Sequence, residues 1–243
     1  MLQEGPQLVL DAEQEGLTTR LLGGVAIRTL LGDRFDLTFA RPLHDIDLFV
    51  RKRDSRKLEA LIKNHGWRAE REFNALHGAR RLLFDDPNSP AQIDVFVEAF
   101  EMCHPLPLAD GLRQPGFTLP GTDLLMTKLQ IVHFNEKDRE DCYALLSGCT
   151  FGTDGPASID PAWIAHLTGR DWGLHHTFEL NLARLTSHLG DRSLPPDETQ
   201  LITDRIGAVS QAMEAEPKSR GWRLRARIGE RKTWYEEPEE VRR

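Results

Sequence analysis

The heptapeptide HDIDLFV, residues 44–50, decides the fold. Polar and apolar residues alternate through it and β-formers dominate, which is the signature of a strand. Asp45 and Asp47 lie two residues apart, so both side chains leave one face, while Ile46, Leu48 and Val50 point the other way into a core. Two carboxylates on one face repel, and the pKa of one rises unless positive charge sits between them. A divalent cation is the usual remedy, because hard carboxylate oxygens suit Mg²⁺ or Mn²⁺. The pattern has other readings: D-x-D is common on solvated strand faces, and sugar-nucleotide glycosyltransferases present it as well.

Upstream, TTRLL (18–22) reads as a short strand running into Gly23-Gly24, and VAIRTLL as a helix that ends at Gly32. Strand, two glycines and helix start make a concave set of backbone N–H groups with the positive end of a helix dipole behind it, a cradle for phosphate. No G-x-x-x-x-G-K-[ST] follows, so this is not a Walker loop. Downstream, SRKLEALIKNHG (55–66) reads as a helix with Ser55 as N-cap and Gly66 as its stop. Two β-like runs, around 76–84 and 92–98, flank the turn-rich DDPNSP and form a hairpin. In QIDVFVE (92–98), Asp94 and Glu98 oppose Ile93, Val95 and Val97. If this strand neighbours 44–50, Asp45, Asp47 and Asp94 converge. Three carboxylates suffice for the metal pair, about 3.5–4 Å apart, used in in-line displacement at phosphorus.

Pro105, Pro107, Pro115 and Pro120 mark a linker near 103–121, and beyond it the chain reads as helical. TDLLMTKLQIVHF and KDREDCYALL come first, then a loop at 148–158. Helices follow near 161–168, 174–189 and 197–215, before a basic helix or tail. The expected organisation is α+β. A small mixed sheet with flanking helices occupies residues 1–110, and a helical domain with a basic C-terminal stretch spans 120–243. Leu125, Lys128, Leu129 and Val132 fall at i, i+3, i+4 and i+7, so Lys128 lies on an apolar stripe, where it snorkels or finds an anionic partner. Asp138 shares a face with Asp141, Cys142 and Leu145, and as a first-turn acid it also suits the helix dipole.

The chain has 243 residues, with 31 Lys or Arg against 38 Asp or Glu, a formal charge of −7. That balance argues against wholesale coating of nucleic acid. Residues 218–232 nevertheless carry +6, leaving −13 on the rest of the chain. Arg220, Arg223, Arg225, Arg227, Arg231 and Lys232, with Trp222 as a stacking platform, could steer in an RNA acceptor. The alternative is a solvated helix pairing with Glu236, Glu237, Glu239 and Glu240. No run is apolar enough for a membrane span, and MLQEGPQ lacks a secretory pattern, so the expectation is cytoplasmic with no membrane partner. Cys103, Cys142 and Cys149 are too few and too scattered for a disulfide framework or zinc pattern. His175, His176 and His188 have no ligand-like spacing, and Cys103-His104 is no recognisable nucleophile pair. Trp163, Trp172 and Trp222 read as packing residues of the helical half.

LLGGVAIRTL, ARPLHDIDLFV and QIDVFVE together resemble the polymerase-β-type nucleotidyltransferase superfamily, and more closely the AbiEii-type toxins. There a GG-x-A-[LI]-R turn, an R-x-x-x-D-[IL]-D strand, a helical Lys and a K-x-R-D-x-x-D-like helix recur. The matching positions are Gly23, Gly24 and Arg28, then Arg41, Asp45 and Asp47, then Lys128, then Lys137 to Asp141. The likeness covers roughly residues 18–146. Gly24 stands where many members carry Ser, and NEKDREDCYALL lacks the usual Arg-Asp order. The resemblance implies a metal-dependent transfer of a nucleoside monophosphate from an NTP to an acceptor hydroxyl, on a tRNA end or a protein. Asp45, Asp47 and Asp94 would be the catalytic and metal-binding residues, with Gly23, Gly24, Arg28, Lys128 and Asp138 binding nucleotide. It further implies a toxin–antitoxin setting with a cognate antitoxin as partner. A small-molecule acceptor, or a non-catalytic nucleotide- or partner-binding module of the same fold, is the alternative.

Overall fold

In the computed structural model, which describes residues 1–238, the alternating heptapeptide forms the strand β2, Asp45–Val50, near the middle of a five-stranded mixed sheet. β1, Thr19–Leu22, runs antiparallel to it on one side. On the other side lies β5, Gln92–Val97, parallel to β2, followed by β4, Arg81–Asp85, and β3, Arg68–Ala69. β4 and β5 are the two arms of the expected hairpin, antiparallel around the 86–91 turn. The β2–β5 register sets Asp47 beside Asp94 and Asp45 beside Gln92. Because side chains alternate and parallel neighbours share a face, Asp45, Asp47 and Asp94 project from the same side. Ile46, Leu48 and Val50 are buried on the other side, as the alternation requires.

The helices follow from capping and apolar spacing. α1, Glu4–Gln14, buries Leu8, Val9 and Ala12 beside β1. α2, Gly23–Leu31, begins at the Gly-Gly pair and stops at Gly32, which takes φ 50°. α3, Lys52–Asn64, starts a turn before the expected Ser55 cap. Ser55 instead donates its hydroxyl to the Lys52 carbonyl, and the Glu98 carboxylate accepts from the Lys52 N–H, capping the helix from the end of β5. The expected β-run at 76–84 begins too early: its first two residues close the short helix α4, Arg71–His77, capped by Glu70, and the strand starts only at Arg81. The Pro-rich stretch is not an exposed linker. Phe117 and Leu119 hydrogen-bond Leu21 on the free edge of β1, and Leu106, Leu108, Leu112 and Leu119 are buried.

α5, Gly121–Leu129, and α6, Glu136–Gly148, both pack on α2. α5 ends earlier than its apolar pattern suggests, so Val132 lies beyond it. The cause is Asn181, whose amide donates to the Leu129 and Ile131 carbonyls and ends the helix there. Asn181 belongs to α8, Trp172–Leu189, which follows α7, Pro161–Thr168, and precedes α9, Pro196–Ala215, and α10, Arg220–Ile228. The hydrophobic core runs as one cluster from Leu8 to Met213. No helix among the described residues is long and apolar enough to cross a membrane.

Asp123, in the first turn of α5, is 7% exposed, and burial together with the nearby Asp110 pushes it up to about 7. The folded protein therefore retains this proton at pH values where the unfolded chain has released it. The native state binds more protons between about pH 4 and 7, so stability falls as pH rises through that window. Asp123→Asn should raise the melting temperature at pH 8 and leave it nearly unchanged at pH 4, read by thermal melts across the range. Equal shifts at both pH values would remove the titration from the explanation.

Candidate functional site

Gly23 takes φ 70°, the left-handed region that glycine enters without cost. The same residue makes room for Asp47, because a Cβ at position 23 would run into the Asp47 carboxylate, with Cγ only 2.9 Å away. A Cβ on Gly24 would likewise overlap the Arg41 guanidinium and sit 2.8 Å from Leu43. The two glycines thus let one carboxylate and one guanidinium close onto the start of α2. The N-cap residue of that helix, Leu22, makes no side-chain cap, and among the described residues no side chain hydrogen-bonds the first-turn N–H groups, of which Gly24 lines the cleft.

The cleft measures about 960 Å³ and is lined by Gly24, Arg41, Asp45, Asp47, Lys128 and Asp138, among others. Five residues expected from the sequence therefore meet in one place, together with Arg41. Gly23 lies directly beneath Asp47. Asp94 sits behind Asp47 and is 8% exposed. Arg28 is not part of the lining, and its guanidinium stacks over the Phe35 ring at 5.0 Å.

Charge balance explains the arrangement. Lys128 does not snorkel. Its ammonium lies 2.9 Å from Asp141 and 3.5 Å from Asp138, and those two carboxylates raise its pKa against the opposing effect of burial. Arg41 reaches the same Asp141 with two hydrogen bonds, Nε at 3.0 Å and Nη2 at 2.7 Å. Although burial opposes it, Lys128 and Arg41 hold Asp141 below the usual carboxylate range. Asp138 has two sets of contacts. It forms a reciprocal capping box with Asn135 at the start of α6, and it faces Lys128 in the cleft wall.

Sequence reasoning missed Arg81. From β4 it grips Asp94 with Nε at 2.9 and 3.0 Å and Nη2 at 2.5 Å, a bidentate pair almost out of contact with solvent. The hairpin register contains the signal: with Asp85 opposite Gln92, Leu83 faces Asp94 and Arg81 lies on its diagonal. Asp47 has no such partner. Among the described residues no hydrogen bond or ion pair reaches it. Burial first, then the Asp94 and Asp45 charges, push it up to about 7, with Lys128 and Arg81 pulling the other way. A carboxylate left without a partner, flanked by two others and open to a cleft, matches the donor set of a hard divalent cation. Asp45 and Asp47 fit that ion. Asp94 is already committed to Arg81. No group of three or more acidic, His or Cys residues among the described residues has metal-binding geometry.

The basic C-terminal stretch lies elsewhere. Arg225 donates to the carbonyls of Gly229 and Lys232 and covers Trp172 at 4.7 Å, so it is used in packing. Trp222 has the Lys218 ammonium over its ring and His175 against it edge-on, which leaves it poorly placed as an open stacking platform. Of the acidic partners considered for this stretch, Glu237 faces His133, and Glu239 and Glu240 lie outside the described residues. His176 stacks on Trp172 and meets Glu230, His188 meets Asp191, and the three cysteines are buried and free.

No protein-family model matches the chain, and no curated protein matches it in sequence.

The Arg81–Asp94 pair makes a direct test of the site's electrostatics. Removing one partner of a buried pair leaves the other charge uncompensated, at a cost of about 3–5 kcal/mol. Arg81→Met should destabilise the protein by that amount in urea unfolding, and Arg81→Met/Asp94→Leu should recover most of it. If Arg81→Met costs no more than about 1 kcal/mol, the pair does not hold the site together.

Proposed function

We propose that the protein is a metal-dependent nucleotidyltransferase that moves a nucleoside monophosphate from an NTP to an acceptor hydroxyl. The observation that carries this reading is Asp47, unpartnered among the described residues, packed on Gly23 and beside Asp45, in a cleft that Lys128 also lines. Asp45 and Asp47 would hold Mg²⁺ or Mn²⁺, which when bound supplies charge neutralisation at the transferring phosphorus. The uncapped start of α2 offers N–H groups and a positive dipole end to the triphosphate. Lys128 is oriented by Asp138 and Asp141 and keeps its ammonium charged at the cleft wall. Arg41 fixes Asp141 and through it Lys128. Asp94 is a positioning residue in this reading, since Arg81 holds it beside Asp47 and its charge favours a cation there.

The resemblance to AbiEii-type toxins supports a toxin-like role, with a tRNA end or a protein hydroxyl as acceptor and an antitoxin as partner. A small-molecule acceptor fits the same cleft. One observation favours a second reading, a nucleotide-binding module without transfer: the third carboxylate is already engaged by an arginine.

Incubation with each α-labelled NTP, Mg²⁺ and total RNA or cell lysate separates these. The account expects one class of molecule to take the label, and Asp47→Asn or chelation to lower incorporation by at least about a hundredfold. No incorporation with any NTP, alongside thermal stabilisation by Mg²⁺–NTP, would favour the binding module.

A further inference from the structure

A second groove, of about 1080 Å³, runs between α3 and the β3–α4 corner. Six cationic side chains line it: Lys52, Arg53, Arg56, Lys63, Arg68 and Arg71. Glu59 is the single carboxylate in that lining, and Lys63 takes it at 2.6 Å. Arg53 lies 3.5 Å from Asp54. Lys52, Arg56, Arg68 and Arg71 are exposed and meet no carboxylate within ion-pair distance among the described residues. Lys52, Arg56 and Lys63 recur at i, i+4 and i+11, so they run along one face of α3 over about 16 Å at 1.5 Å per residue.

Arg68 belongs to both cavities. It lines this groove and also the acidic cleft that holds Asp45 and Asp47. A band of positive charge therefore leads to the rim of the acidic site in a chain whose overall charge is −7. The basic α10 region, in contrast, lines a separate cavity that shares no residue with the acidic cleft.

We propose that this groove binds the phosphodiester backbone of a single-stranded RNA and leads its end past Arg68 into the acidic cleft. The inference rests on the nucleotidyltransferase reading for what happens in the cleft, but the binding step needs neither NTP nor metal. The chemistry of the lining argues for a polyanion held by charge. Trp67 is 6% exposed and has no face to offer a base, and the Asn74 amide is engaged by the Leu83 backbone in both directions. Nothing in the lining reads base edges, so recognition is electrostatic and independent of sequence. A concave groove also suits a strand better than a flat lipid surface.

Fluorescence anisotropy with a labelled single-stranded RNA 15-mer, in EDTA and without NTP, tests this across a salt series. Four phosphate contacts give a slope of log K against log salt of about −3 for a single strand. Lys52→Ser/Arg56→Ser/Arg71→Ser should flatten the slope to about −1 and weaken binding at least tenfold at 100 mM salt. All three side chains are exposed, so its thermal melt should match wild type. Arg223→Ser/Arg227→Ser/Arg231→Ser, on and beyond α10, should bind as wild type does. Asp47→Asn should also keep full RNA affinity, and wild type that binds the RNA but transfers nothing to it would count against the reaction and not against the groove. The groove proposal is overturned if its triple variant binds like wild type, if the α10 variant loses more affinity, or if wild type does not bind the RNA.

Discussion

Carboxylates cannot be gathered in a half-buried cleft without cations to balance them, and that constraint organises this molecule. Asp45, Asp47, Asp94, Asp138 and Asp141 crowd one end of the sheet, with Arg41, Lys128 and Arg81 interleaved. The cations come from three different parts of the chain: the loop before β2, the helix α5 and the strand β4. Each meets an acid on another element, so the ion pairs tie α5 and the loop before β2 to α6, and β4 to β5. The pairing is uneven. Asp141 has two cations and Asp94 has a bidentate one, whereas among the described residues Asp47 has no ion pair. Among the described residues Asp47 is the carboxylate of this group that no hydrogen bond or ion pair reaches, and its charge is the one left to be balanced. In the functional account proposed above, a divalent cation balances that charge.

Most of this was legible in the chain wherever the signal was local. The alternation in HDIDLFV, the Gly-Gly turn and the DDPNSP hairpin fix β2, the start of α2 and the β4–β5 pair, because period and turn chemistry need no distant partner. The failures have distant causes. α1 was not foreseen, and it carries Gly5 and Pro6 in its first turn. Pro is tolerated there, and a Cβ on Gly5 would sit 3.1 Å from both Leu21 and Val25. The Ser55 cap was displaced by Glu98, far along the chain, and the end of α5 is set by Asn181. Local pattern cannot foresee either.

The candidate site divides in the same way. Asp45, Asp47, Gly23 and Gly24 follow from strand and turn periodicity. Lys128 showed itself as a charge on an apolar stripe, but its partners were uncertain until α5 and α6 were seen side by side. Arg28 matched a motif and yet turns to Phe35, since helical periodicity carries it away from the glycine pair. Arg81 was accessible only through the hairpin register. Charge runs read differently in the fold: residues 218–232 stand out in sequence and are partly used in packing, whereas the α3–β3 cations are spaced along the sequence and brought to one groove.

The central claim is that Asp45 and Asp47 form a cation site facing the Gly23-Gly24 turn. Crystals grown with Mn²⁺ and a non-hydrolysable NTP, measured at the manganese absorption edge, test it most directly. The account predicts an anomalous peak between the Asp45 and Asp47 carboxylates, with the triphosphate against the start of α2. A triphosphate bound elsewhere, or no manganese at these two aspartates, would contradict it.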